Sequence, residues 1–238
     1  MSAQPVPIDG PTPSTRTGRR GRSAGATRTE LLDVATAEFA RLGYHGARVD
    51  EIAARSSTTK RMIYYYFGDK DGLFEAVLER AYAGAREAER RLDLSSMEPR
   101  EALARLIEHT LRWHAAHPEV ARLVAAENAL DATHLRRSAA QVSANQAIVE
   151  LIDDIVARGI ADGSFVRKVS GLDLHLHITA LALFRVANAA TVEATFGVDM
   201  TAPEAMDRSV AMVTSMVGAW LATPDPEQPG SANVAENC

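Results

Sequence analysis

Cysteine is nearly absent from this chain of 238 residues, because the single one, Cys238, is the last residue. A disulfide or a cysteine-based metal site within one chain is therefore excluded. Long apolar runs are also missing, and no stretch approaches the roughly 18 consecutive apolar residues of a membrane span. The start of the chain contains arginines but no apolar core of a signal peptide. We therefore expect a soluble, cytoplasmic protein with no membrane partner.

Alternating strand patterns are equally scarce. Apolar residues recur at helical spacing through nearly all of the chain between its two ends. A composition of 46% hydrophobic and 24% charged residues is that of an ordinary globular protein able to bury a sizeable core. The sequence therefore predicts an all-α fold.

Lys and Arg are fewer than Asp and Glu, which gives a net charge of −5, but the basic residues are concentrated near the start of the chain. Residues 14–70 contain eleven Lys and Arg against six Asp and Glu, a balance of +5, so the remainder sums to −10. This asymmetry predicts that only the first part of the chain binds a polyanion. Random fluctuation is the alternative that charge alone leaves open.

Proline, glycine and polar residues dominate both ends of the chain. We therefore predict a disordered basic arm over 1–26 and a disordered tail over 223–238. Arginines of the arm could reach a DNA minor groove or could only keep the tail solvated. Between the ends we predict a three-helix helix-turn-helix domain over 27–70, joined by a long helix to a larger helical domain over 71–222.

The helix-turn-helix prediction rests on three short helical patterns, at about 28–42, 49–55 and 59–67, with a tight turn before the third. In the third helix, Ile63 and Phe67 lie one turn apart and are predicted to anchor it in the core.

Only 5% of the residues are aromatic, yet four of them stand consecutively from Tyr64 to Phe67. Lys60 with Tyr64, and Arg61 with Tyr65, form two rows that face away from the predicted anchors. Cations and tyrosines on one exposed helix face suit a DNA major groove, where they contact phosphates and base edges. The alternative is that the tyrosines only cover a small core.

A family resemblance points the same way. The stretch RVDEIAARSSTTKRMIYYYFGDKDGLFEAVL, residues 48–78, resembles the DNA-binding domain of the TetR family of transcriptional regulators. LLDVATAEFARLGYHGA before it is similar to that family's first helix. The resemblance implies a recognition helix near 59–66 and a phosphate contact by Lys70. The implied DNA-contacting residues are Arg48, Thr59, Lys60, Arg61, Tyr64, Tyr65 and Lys70.

Two departures from the family pattern carry expectations of their own. Ser57-Thr58 stand where the family usually has Gly-Val, so Ser57 is expected in a strained left-handed conformation that costs about 1 kcal/mol. Arg48 stands where the family usually has a neutral hydroxyl residue, so a charged contact is expected there.

The middle helices of the larger domain mix polar residues into apolar stripes. A few polar groups among apolar walls are typical of a pocket for a partly polar small molecule. A single polar residue on an inner face is, however, more often paired with a neighbour. The candidate effector-binding residues are Thr110, Trp113, His114, Glu127, Asn128, Gln141 and Asn145.

No cofactor or metal site is predicted. His175 and His177, at i and i+2 on a helix, point in different directions, and His114 with His117 has no cysteine or tighter cluster beside it. No nucleophile motif or phosphate-binding loop accompanies them.

The helices predicted near 171–196 and 203–222 are apolar enough to suit a homodimer interface. The family resemblance implies the same arrangement. The alternative is that these helices complete a monomeric core. The leading hypothesis is a sequence-specific DNA-binding transcriptional regulator. It would repress by binding a palindromic operator, and an unknown small molecule would release it from that operator. One alternative is a ligand-independent dimeric regulator. Another is a small helical enzyme that uses His114 and Glu127 for acid-base chemistry.

Overall fold

The computed structural model describes residues 24–225, apart from the side chains of Ala24 and of residues 139–144. The predicted tail and almost all of the predicted arm therefore lie outside the described residues. The described chain is helical throughout, without strands, as predicted. Its α-helices are α1 (Ala24–Gly46), α2 (Val49–Arg55), α3 (Lys60–Phe67), α4 (Lys70–Arg90), α5 (Pro99–Ala116), α6 (Pro118–Asn128), α7 (Ala139–Ala161), α8 (Gly171–Ala187), α9 (Ala189–Phe196) and α10 (Pro203–Ala222).

The three short helices of the predicted DNA-binding domain are present. α1 begins at Ala24 rather than at residue 28, so the end of the predicted arm, residues 24–26, is helical instead of disordered. Thr29 helps this first turn, since its hydroxyl donates to the carbonyl of Gly25 at 3.1 Å. At the other end Gly43 breaks the helix with φ of 67°, a left-handed value that glycine adopts without steric cost.

The N-terminal core is shared by α1 to α4 and also receives Leu123 from α6. It includes the completely buried Phe39, Ile52, Ile63 and Phe74. Because the first two turns of α4 belong to this core, the boundary between the domains runs through α4 and not at residue 70. α1 packs extensively on α6, which fixes the DNA-binding domain to the rest of the molecule.

The C-terminal core is built around α5. This helix packs against α7, α8 and α10, and its Leu106, Ile107 and Leu111 are buried. α7 contributes Ile148, Ile152 and Ile155, which are also buried. None of the described helices combines the length and the apolarity that crossing a membrane requires.

Two helices predicted as continuous are interrupted. The segment 134–162 begins with a short 3-10 helix (Leu135–Arg137) and continues as α7 after Ser138. The segment 171–196 divides at Asn188 into α8 and α9.

α8 has two apolar faces. Leu174, Ile178 and Ala182 form the buried face, whereas Leu181 is exposed. Leu172 and Leu176 of the other face are exposed.

Candidate DNA interface and effector cavity

The outer face of α3 is exposed. Tyr65 is 77% exposed and Tyr64 42% exposed, while Ile63 on the opposite face is completely buried. Phe67, the second predicted anchor, packs on the N-terminal core but is only partly buried. Arg61 is exposed and makes no hydrogen bond or ion pair to another described residue. The helix is therefore held by its inner side while a cationic and aromatic side remains free for a ligand.

Other predicted contact residues border this face. Lys60 forms an ion pair with Asp50 of α2, with 2.8 Å between Nζ and Oδ1, so DNA contact by Lys60 would have to compete with this exposed pair. Thr59 precedes α3 in extended conformation, and its hydroxyl makes no capping hydrogen bond. Arg48 holds the same position before α2, and its side chain is also exposed and without a capping bond.

Lys70 is held in place at the first turn of α4. Its Nζ lies 4.6 Å from the centre of the Tyr44 ring, a cation–π contact, and partial burial lowers the pKa of its amine. Asp69 caps the helix by accepting a hydrogen bond from the Gly72 amide at 2.8 Å. Gly72 is required there, since a Cβ atom would lie 2.1 Å from the Phe67 carbonyl oxygen. The turn between α3 and α4 thus sets where Lys70 lies relative to α3.

The expectation that Ser57 adopts a strained left-handed conformation is wrong. Among the described residues other than glycine, only Asp93, Asp131 and Ala132 have positive φ. The amide of Ser57 instead donates to Oε1 of Glu30 at 3.0 Å, so α1 supports the turn that glycine usually makes in this fold.

A hydrogen-bonded network, which we call the junction network, connects the two domains. Glu127 of α6 is completely buried, and its oxygens accept from the amides of His134 and Leu135 and from Nδ1 of His134 at 2.7–2.9 Å. Nε2 of His134 lies 3.8 Å from Oδ1 of Asp71, and the hydroxyl of Tyr44 donates to that same oxygen. Glu127 is therefore used inside the protein, and this geometry does not support its predicted contact with an effector.

A cavity of about 230 Å³ lies between α4 and α7 and is lined by Arg86, Glu89, Arg90, Ala147, Ile148 and Leu151. We call it the effector cavity. Only 12% of the Arg86 side chain and 11% of the Glu89 side chain are exposed, and they form an ion pair at 3.0 Å. Burial raises the pKa of Glu89 to about 7, although the charge of Arg86 opposes this.

Three histidines of α5 and α8 lie in the same region. Burial first, and the charge of Arg86 second, lower the pKa of both His114 and His175 to about 4, so both rings are neutral at pH 7. Burial also lowers the pKa of His109. Nδ1 of His114 and Nε2 of His109 are buried and have no hydrogen-bond partner among the described residues.

The other predicted effector residues are dispersed. Thr110 is buried, but its hydroxyl donates to the carbonyl of Leu106 at 2.9 Å. Trp113 stacks on His117 and lines a different cavity, of about 170 Å³, beside α1 and α4. Asn128 is exposed and Asn145 half-buried. The side chain of Gln141 lies outside the described residues.

Sequence reasoning missed Arg86, Glu89 and His175 as site residues. A signal was present, because Tyr82 and Arg86 follow the buried Leu78 at intervals of four residues and so continue the inner stripe of α4. Among the described residues no group of three or more His, Cys, Asp or Glu side chains is placed to hold a metal ion.

A short helix with an exposed cationic and aromatic face on a small helical domain, joined through one long helix to a larger domain with a cavity, is the arrangement of a helix-turn-helix regulator. Residues 31–77 match the model of bacterial regulatory proteins of the tetR family, and residues 99–217 match that of the tetracyclin repressor-like C-terminal domain. The chain belongs to the TetR family and is a DNA-binding transcriptional regulator. Since this family consists of regulators, the enzyme alternative is dropped.

Individual relatives agree with this assignment. The transcriptional repressor NicS of Pseudomonas putida is 32% identical over 190 residues, which cover 80% of this chain and 90% of NicS. The repressor SCO4008 of Streptomyces coelicolor is 40% identical over 105 residues, 43% of this chain and 50% of that protein. The structure of the ketosteroid regulator KstR2 of Mycobacterium tuberculosis shares the fold, with a TM-score of 0.62, 18% identity and coverage of 83% of this chain and 95% of KstR2.

Proposed function

We propose that the protein is a homodimeric repressor that binds a palindromic operator and is released from it by a small molecule in the effector cavity. One observation carries this proposal: a single helix, α4, has Lys70 at its DNA-facing end and Arg86 in the cavity. The rise from Lys70 to Arg86 along the helix is about 24 Å. The operator would place the protein in the bacterial cytoplasm.

The proposed release follows from this shared helix. A ligand that binds more tightly when α4 is displaced shifts the protein toward that conformation, and the displacement moves Lys70 and the attached α3. Coupling of this kind is typically about 1–3 kcal/mol. The junction network supports the proposal because it joins α6 to the first turn of α4, through the buried Glu127–His134 pair and the partly exposed Asp71.

Homodimerisation is proposed from the exposed apolar surface of α8 and α10. Leu176 and Phe184 of α8, and Met212, Met216 and Trp220 of α10, are all at least 43% exposed. Contiguous apolar surface of this kind marks a protein interface. Two copies related by a twofold axis would present two recognition helices to a palindrome with half-sites about 34 Å apart.

Repression is preferred to activation because the relatives NicS and SCO4008 are repressors. The ligand-independent regulator remains the second candidate. It would leave the buried nitrogens beside the effector cavity without a function.

The first experiment recovers and sequences the genomic DNA fragments that the full-length protein retains at near-physiological salt. A short palindrome should be enriched. Tyr65→Ala and Arg61→Ala should each weaken binding to it by about tenfold or more, since a lost base contact costs about 1–3 kcal/mol. Both side chains are exposed, so thermal stability should not change.

Lys168→Ala is the matched control, because it removes one exposed positive charge from the segment between α7 and α8, outside both the DNA-binding helices and the proposed interface helices. Its operator affinity should stay close to that of the wild type. The absence of any enriched sequence, or equal losses in all three variants, would contradict specific recognition by α3.

A further inference from the structure

We propose that the effector is a small organic carboxylate whose anionic group pairs with Arg86 while its apolar part lies against α7. The inference rests on the proposed function, since it names the chemical class of the molecule that occupies the effector cavity.

The guanidinium of Arg86 is incompletely paired. Its Nη2 reaches Oε1 of Glu89 at 3.0 Å, but Nε and Nη1 are buried and have no hydrogen-bond partner among the described residues. Buried polar groups without partners are rare and costly in folded proteins. Arginine presents its N–H groups in a fixed planar fork that matches the two oxygens of a carboxylate. A carboxylate is therefore the anionic group that suits this guanidinium, with an oxygen that accepts from Nε or from Nη1.

The charges around the cavity favour an anion. Arg86 carries a positive charge, whereas burial raises the pKa of Glu89 to about 7 and so weakens the countercharge that this carboxyl supplies near neutral pH. His114 and His175 are neutral there. The remaining charged wall residue, Arg90, pairs with Glu87 at the surface, 2.8 Å away. A positive local charge that Glu89 balances only in part repels cations and attracts one negative charge.

The apolar wall and the size define the rest of the ligand. Ala147, Ile148 and Leu151 of α7 face the guanidinium across the cavity, so an apolar body can be buried there. About 230 Å³ is below the range of roughly 300–1,000 Å³ typical of sites for drug-sized molecules. The site therefore suits a monocyclic or short-chain acid rather than a large lipid or coenzyme conjugate.

The test uses two acids and their neutral amides, with isothermal titration calorimetry on the full-length protein. Benzoate is paired with benzamide and hexanoate with hexanamide, each up to about 10 mM, which detects the weak affinities expected of fragments. At least one acid should bind about tenfold more tightly than its amide. Arg86→Met should abolish this preference, whereas Glu89→Gln should strengthen binding because it removes the competing carboxylate.

Arg91→Met is the matched control, since it removes a nearby arginine that is exposed, pairs with Glu87 and does not line the cavity. Its affinity for the acid should remain within about twofold of wild type. If Arg86→Met does not fold, Arg86→Lys keeps the charge but loses the planar fork, and it should still weaken binding of the acid by about tenfold.

Three results would overturn the inference: an amide that binds as tightly as its acid, an acid that binds the Arg86 variants like wild type, or no binding of either pair. Operator binding is measured separately without any probe. If acids bind through Arg86 but do not release DNA, the repressor mechanism fails while the carboxylate site stands. If DNA is bound but no acid binds, the carboxylate inference fails alone.

Discussion

Two glycines of α4 have opposite steric surroundings. A Cβ atom on Gly72 would meet backbone atoms of Phe67, whereas one on Gly84 would meet nothing within 4 Å. Alanine normally stabilises a helix interior relative to glycine by about 1 kcal/mol. At Gly72 the clash makes alanine destabilising relative to glycine.

Gly72→Ala should lower the free energy of unfolding by about 1–3 kcal/mol and weaken operator binding, because the α3–α4 turn must shift. Gly84→Ala, the control in the same helix, should raise the free energy of unfolding by about 0.5–1 kcal/mol. Urea denaturation measures both. An equal gain in the two variants would show that the turn tolerates a side chain.

Three buried titratable groups beside the effector cavity predict how stability depends on pH. His114 and His175 bind protons near pH 6.5 when unfolded but only near pH 4 when folded, so acid favours the unfolded state between these values. Glu89 acts oppositely, since its pKa rises from 4.5 to about 7 on folding and its contribution to stability is lost as the pH rises through that window.

Two histidines outweigh one glutamate, so these three groups should make the free energy of unfolding fall as the pH falls from 6.5 to 4.5. His114→Gln should flatten this dependence, and Glu89→Gln should steepen it because the opposing contribution is gone. Urea denaturation across this range measures the slopes. Slopes unchanged in both variants would show that the groups titrate normally in the folded protein.

At the scale of elements, the junction network determines how α1, α4 and α6 meet. Tyr44→Phe removes only the hydroxyl that donates to Asp71. Stability should fall by about 1 kcal/mol, the usual net worth of a hydrogen bond. Operator affinity should fall as well, because the ring that Lys70 contacts is no longer fixed to Asp71 by its hydroxyl.

Tyr82→Phe provides the control for this change. Tyr82 lies on the same helix, α4, and its hydroxyl makes no hydrogen bond to another described residue. Its variant should match the wild type in unfolding and in electrophoretic mobility-shift assays with operator DNA. If the Tyr44 variant also matches the wild type, the junction network does not couple the two domains.

At the scale of the whole molecule, the exposed apolar faces of α8 and α10 predict the oligomeric state. Phe184 is 56% exposed on α8. Phe184→Asp would place a charge in the proposed interface, so sedimentation equilibrium should show a monomer. Affinity for a palindromic operator should fall by about a hundredfold, because the two half-sites are no longer bound together.

Ala157→Asp adds the same charge to an exposed position of α7 and should remain dimeric. A wild-type protein that sediments as a monomer would show that α8 and α10 complete a different interface or none.

Local sequence predicted the helices and the face of α3 well. Helix type follows from apolar spacing, so Ile63 inside and Tyr65 outside could be read without coordinates. The ends of helices were harder, because short-range signals decide them. Ala24 extends α1 beyond its apolar pattern, and Asn188 divides α8 from α9 without a proline or a glycine.

The residues predicted to bind an effector do not lie together, for a different reason. Glu127 and Arg86 both stand on inner helix faces, and their sequence neighbourhoods do not say which partner each one meets. Glu127 contacts His134 seven residues later, where the chain turns back after α6. Among the described residues the Arg86 side chain pairs with Glu89 alone, one turn away on its own helix.

The sequence by itself determined the all-helical fold, the recognition helix and the family, since these follow from periodicity and from motifs within about fifty residues. Only the tertiary structure decided which polar residues are satisfied and which face a cavity. Hydrogen bonding between residues distant in sequence depends on how α4, α6 and α7 pack, and no local pattern encodes that packing.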